Sequence, residues 1–101
     1  MNKKQITDLI EVIDNIINQI QLNSTENVYK ETSLALPAMQ QMIMVLLEYE
    51  ILEQQVALML LEDLVQSIEQ RDEVLLLDVL KYGINSLLCE ILRIMEDEEN
   101  E

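Results

Sequence analysis

The chain predicts an all-α fold, an antiparallel helical bundle of four helices, and three observations carry that prediction. Aliphatic residues recur three and four apart over most of the length, the spacing of one helix face. Glycine and proline occur once each in 101 residues, too few for the tight turns that a sheet requires. The apolar half of the composition is aliphatic, with three tyrosines and no Phe or Trp, set among Glu and Gln. The length suits a single domain, read here as residues 1–95, with an acidic disordered tail over 96–101.

The first helix is marked by Ile6, Leu9, Ile13, Ile16 and Ile20, with Ile10 and Ile17 widening the stripe. Asp8, Glu11, Asp14, Asn15 and Asn18 fill the opposite side. "LNSTEN" (22–27) ends it, because Asn, Ser and Thr favour caps and turns over helix interiors. Residues 26–36 carry no firm pattern. Pro37 biases Leu36 away from helical geometry, yet a proline in a first turn loses no hydrogen bond, so Ser33 is expected to cap a helix that holds Pro37 in that turn.

No Gly, Pro or Asn interrupts residues 38–70. Met39, Met42, Ile43, Leu46 and Tyr49 form one face; Ala57, Leu61, Leu64 and Ile68 form another. Read as a single helix this stretch would be about 50 Å long and the bundle would have three helices. Compactness favours a bend near "EYEILEQQ" (48–55), which restores four. "EQRDEV" (69–74) is the last junction, with Asp72 as N-cap and Glu73 at the positive end of the helix dipole. The fourth helix has Leu77, Leu80, Ile84, Leu87, Ile91 and Ile94 as its seam and runs into "EDEENE" (96–101), whose acids oppose the dipole and should fray.

Six basic and twenty acidic residues give a net charge of −14. Residues 1–50 hold three basic and seven acidic residues, and residues 51–101 hold three and thirteen. Such a field repels phosphate backbones and anionic membranes, so neither nucleic acid nor membrane is expected as a partner. The longest apolar runs, "MIMVLL" (42–47) and "VALMLL" (56–61), fall far short of the roughly 20 residues of a span. Lys3 and Lys4 are followed by Ile6, Thr7, Asp8 and Leu9, which is not the apolar core of a secretory leader. With the lone Cys89, these features suggest a cytoplasmic protein.

Catalytic chemistry finds few tools. The absence of histidine removes the usual general base, the Glu-x-x-His di-iron pair and Cys/His zinc sites. One glycine cannot build a phosphate-cradling loop. Carboxylate pairs such as Glu62–Asp63 and Asp97–Glu98 read as solvated faces. No enzymatic activity, cofactor or resident metal is expected.

Surplus apolar residues point to a partner instead. On the fourth helix Leu75, Val79, Tyr82 and Cys89 lie beside the main seam as a second stripe, and Gly83 would permit close approach of another backbone. Glycine costs about 1 kcal/mol in a helix interior relative to Ala, so its position calls for a reason. On the second helix Met44, Leu47 and Ile51 form a stripe separate from Met39 and Met42. Six methionines, three of them in this stretch, make an adaptable surface. Each stripe has a plainer reading as core, and Cys89 reads most simply as a small buried hydrophobe.

Arg71-Asp72, Val74-Leu75-Leu76, Asp78, Leu80, Tyr82 and Leu87-Leu88 together resemble a block in small acidic helical proteins of Gram-positive bacteria. Some of those proteins resemble parts of the motility gene neighbourhood, where flagellar export chaperones are also small acidic bundles. The likeness departs at Gly83, where an acidic residue would follow the tyrosine, and in the lack of a following proline. It implies a helical adaptor or chaperone and transfers no catalytic residue. The expectation is therefore a non-enzymatic interaction module that forms a homodimer or binds an amphipathic helix of a client protein. An acidic nucleic-acid mimic occupying a basic site on another protein is the alternative.

Overall fold

A computed structural model describes residues 1–99, all in helices and short turns. Four helices follow one another: α1 (Lys3–Gln21), α2 (Val28–Glu48), α3 (Gln54–Glu69) and α4 (residues 73–99). The fourth has an α-helical start at Glu73–Asp78, a π-helical segment at Val79–Ile84 and an α-helical remainder at Asn85–Glu99. The packed pairs are α1 with α2, α2 with α3, α3 with α4 and α4 with α1, so the chain goes round the bundle in order. Short links join consecutive helices, as in an up-and-down bundle. The bend expected at residues 48–55 is present, and no helix spans residues 38–70.

α1 begins with a capping box. The Asn2 side chain accepts from the Gln5 N–H at 2.9 Å, and Gln5 Oε1 accepts from the Asn2 N–H at 2.9 Å, which satisfies two otherwise unpaired donors. Ile6, Leu9, Ile13, Ile16, Ile17 and Ile20 are buried, as their spacing predicts. Asp72 caps α4, accepting from the Leu75 N–H at 3.0 Å.

All three turns close in one way. Asn23, Glu50 and Arg71 take left-handed conformations, with φ of 60°, 57° and 51°. After α1, Ser24 N–H donates to Gln19 O and Asn23 N–H to Ile20 O. After α2, Ile51 N–H donates to Leu46 O and Glu50 N–H to Leu47 O. After α3, Asp72 N–H donates to Ser67 O and Arg71 N–H to Ile68 O. Each is a Schellman motif that pairs carbonyls left over at a helix end.

Four details correct the expectations from sequence. Asn27, not Ser33, is the N-cap of α2, and Pro37 stands inside that helix rather than in its first turn. Val28, Thr32, Ala35, Met39, Met42 and Leu46 are buried three and four apart on both sides of Pro37, so their common face holds the helix together across the break. Pro37 itself faces solvent. Tyr49 leaves the core face because it is the C-cap of α2, and it is exposed. On α3 the buried line is Ala57, Leu60, Leu64 and Ser67, with Leu61 and Ile68 half-buried. The Ser67 hydroxyl donates to Leu64 O at 2.7 Å, which lets a polar side chain occupy the core. Finally, helix α4 continues through Glu99, so residues 96–99 of the expected tail are helical; Asn100 and Glu101 lie outside the described residues.

On α4 the buried residues are Leu76, Val79, Leu80, Ile84, Leu88 and Ile91, while Leu77, Leu87 and Ile94 of the expected seam are half-buried. Gly83 lies in the π segment with its α-carbon against α3: a methyl group there would meet Leu60 Cδ2 at 2.7 Å. The close neighbour is thus a side chain of the same chain, not the backbone of a partner.

Two stability experiments follow from these features. Gly83→Ala gains about 1 kcal/mol of helix propensity but overpacks a contact at a typical cost of roughly 1 to 3 kcal/mol. Leu60 is buried, so the expected net effect is a loss of about 1 kcal/mol, turning into a gain when Leu60→Val has shortened the obstructing side chain. Urea unfolding of both pairs checks this, and a loss in both backgrounds would place the obstruction elsewhere. Glu50→Gly removes a left-handed strain of about 1 kcal/mol or more, partly offset by the looser unfolded chain. A net gain of about 0.5 kcal/mol is expected in the same assay.

Candidate protein-interaction surface

Exposed apolar side chains occur on every helix, among them Leu58, Met59 and Val65 on α3 and Val74 and Tyr82 on α4, and those of α2 border surface grooves. The buried face of α2 supplies the core, yet Leu34 is 73% exposed and Met44 is 69% exposed. Leu34, Ala38, Gln41 and Val45 recur four, three and four apart on the outward side. Beside them run Met1, just before α1, and Gln5, Asp8, Val12 and Asn15 on α1, again four and three apart. Between these two lines lies a groove of about 580 Å³, with Leu9, Ala35 and Glu31 completing its lining.

The groove does not end there. Gln41 also lines a shallower depression with Met44, Val45, Leu47 and Glu48. Val45 and Glu48 pass into a third depression of about 540 Å³, formed with Tyr49, Ile51, Ile91, Ile94, Met95 and Glu98 between the ends of α2 and α4. Met1 lines both the first and the third. These shared residues join the three depressions into one mainly apolar surface from Leu34 to Ile51, crossed by Gln41 and Glu48.

Of the residues expected to meet a partner, Met44, Leu47 and Ile51 lie on this surface. Ile51 has a structural duty as well, since its N–H closes the turn after α2. The α4 candidates do not assemble. Val79 is buried in the core, and Leu75 is half-buried against it. Gly83 faces Leu60. Tyr82 is exposed, with Lys81 Nζ 5.5 Å from its ring centroid. Cys89 is exposed rather than buried, because the core line passes through Leu88 and Ile91. The π segment changes the rotation per residue, so a stripe drawn at ordinary helical spacing comes apart there.

Leu34, Val12, Ala38 and Val45 escaped the sequence reading. Leu34 fell in the stretch without a firm pattern, and its line with Ala38 and Val45 becomes visible once residues 28–48 are one helix.

Charge is distributed in a definite way. Asp8 and Glu31 stand on the two sides of the first groove, and Glu48 and Glu98 on the two sides of the third. No Lys or Arg side chain lines any of these three depressions. Gln19 Nε2 donates to Glu31 Oε2 at 2.8 Å and holds that carboxylate on the wall. Arg93 is engaged by Glu90 and Asp97 on the exposed side of α4. Among the described residues no three His, Cys, Asp or Glu side chains are placed to hold a metal ion, and no helix is long and apolar enough to cross a membrane.

At the opposite end of α2 the Tyr29 hydroxyl is buried without a hydrogen-bond partner, while the Arg71 guanidinium lies 5.5 Å from the ring centroid. Burial, then Glu73, raises its phenol above the ordinary value; Arg71 opposes this and Asp72 adds to it. A raised value favours the neutral phenol in the fold, so its contribution is complete below about pH 10 and is lost as pH rises through the folded value. Tyr29→Phe removes a buried hydroxyl that lacks a partner and should stabilise by about 1 kcal/mol at neutral pH. It should also flatten the fall in stability above about pH 10, measured by urea unfolding across pH.

Compared with protein-family models, curated proteins and solved structures, the chain matches none.

Proposed function

We propose that this chain is a non-enzymatic interaction module, an adaptor or chaperone that holds an amphipathic helix of a client along the outer side of α2. The observation that carries the proposal is the run of adjoining depressions, which share Met1, Gln41, Val45 and Glu48, with the apolar side chains of Leu34, Met44, Tyr49 and Ile51 exposed along them. Contiguous apolar surface of this kind marks interaction sites on monomeric proteins. The first groove follows α1 from Gln5 to Asn15, about 15 Å, or about three turns of an occupying helix. An amphipathic helix presents anchors at i, i+3, i+4 and i+7, which suits a floor built from two parallel lines of side chains. Met44 and the thioether of Met95 add adaptable contact where client sequences differ.

Two other occupants fit less well. A second copy would bring acidic walls of a chain with net charge −14 against each other. The α4 stripe expected to widen a dimer interface is also dispersed, which leaves Met44, Leu47 and Ile51 alone to support it. A nucleic-acid mimic would use the charge but needs no apolar floor.

Three synthetic peptides with one leucine stripe at helical spacing, and polar faces of Lys, Gln or Glu, test the proposal by fluorescence anisotropy. At least one should bind, and Leu34→Asp should weaken it about tenfold or more, as expected for loss of an apolar anchor. Leu34 is exposed, so the thermal midpoint of the variant should not move. Sedimentation should report a species of 11.8 kDa. A dimer dissociated by Leu34→Asp would reassign the surface to self-association, and unchanged peptide binding by that variant would overturn the proposal.

A further inference from the structure

We infer that the helix accepted by this surface is cationic, with basic residues flanking its apolar stripe on both sides. The inference rests on the proposed groove binding and adds the chemistry of the occupant. Its basis is the placement of the acids, not their number. In the first groove Asp8 belongs to α1 and Glu31 to α2, so a helix lying between them runs along a carboxylate on either wall. In the third, Glu48 belongs to α2 and Glu98 to α4, which repeats the arrangement farther along the same surface. The floor between the walls is apolar at both places: Leu9, Val12, Leu34 and Ala38 in one, and Tyr49, Ile51, Ile91 and Ile94 in the other.

The lining side chains supply no cation to offset these walls. No Lys or Arg side chain lines the surface, and the α-amino group belongs to Met1, at one point where the first and third depressions meet. Arg93, the basic residue nearest in sequence to the Ile91–Glu98 wall, already bonds Glu90 and Asp97. Seating any helix on the floor takes water from the neighbouring carboxylates. A neutral flank leaves that loss uncompensated, an acidic flank adds repulsion, and a basic flank replaces the water with a charge-assisted hydrogen bond. A helix with Lys or Arg on both edges of its leucine stripe satisfies both walls at once. The same field excludes acidic helices, giving selectivity by repulsion as well as by attraction.

The three peptides distinguish this inference from the proposal beneath it. At low ionic strength the Lys-faced peptide should bind at least about tenfold more tightly than the Gln-faced one, and the Glu-faced one most weakly. Raising salt should weaken the Lys-faced peptide selectively. Asp8→Asn combined with Glu48→Gln and Glu98→Gln should reduce its advantage at least several-fold while leaving the Gln-faced peptide unchanged. Glu31 is left alone because its bond to Gln19 helps join α1 to α2. Equal binding of the three peptides, or an advantage that the triple substitution leaves undiminished, would overturn the cationic occupant while groove binding stands. Failure of all three to bind would overturn both.

Discussion

The bundle depends on keeping one face of α4 turned inward over its length. Leu76, Leu80, Ile84 and Leu88 are fully buried and four residues apart. In an ideal helix of 3.6 residues per turn each such step rotates the side chain by about 40°, or about 120° over three steps. Leu88 would then point well away from the direction of Leu76. The π segment over Val79–Ile84 widens the turn where the drift would accumulate, and the four residues stay on the core. α1 and α3 both pack on this segment, so the register of α4 governs how the bundle closes. The same geometry puts Gly83 against Leu60, whose terminal methyl occupies the space a side chain at 83 would take.

The turns impose a second constraint. Three chain reversals with no glycine at any of them force Asn23, Glu50 and Arg71 into left-handed conformations. Asn accepts such geometry readily, but Glu and Arg incur about 1 to 2 kcal/mol each. Paired carbonyls offset part of that cost, and burial of the helices on either side supplies the remainder. Pro37 is tolerated on similar terms. A helix interior normally rejects proline by about 3 kcal/mol, but α2 buries apolar residues on both sides of it.

These two constraints decide what was legible in the amino-acid sequence. α1 could be read residue by residue because its isoleucines follow ordinary helical spacing and its end is rich in Asn, Ser and Thr. The Asp72 cap was legible for the same reason: its side chain acts locally. The bend near residue 50 was reached from compactness alone, since Glu50 occupies the position where glycine would have announced it. The seam of α4 was misplaced because an ordinary helical period was applied across a π segment. Val79 and Gly83 consequently looked like partner residues when the fold had already used both. Met44, Leu47 and Ile51 were legible as surplus because α2 keeps a regular period past Pro37, whereas Leu34 was hidden by treating that proline as a beginning.

The high negative charge and the open apolar surface belong together physically. An exposed stripe of Leu34, Met44, Tyr49 and Ile51 on a neutral bundle would invite copies to associate through it. Net charge far from zero opposes that association. If charge served dispersal alone, its position would be free to vary. Asp8, Glu31, Glu48 and Glu98 flank the apolar floor, where a carboxylate opposes the approach of another acidic copy and favours that of a basic helix. On the proposed function, one arrangement of carboxylates would both disfavour self-association and select a cationic client, and neither effect calls for any chemistry beyond burial and charge.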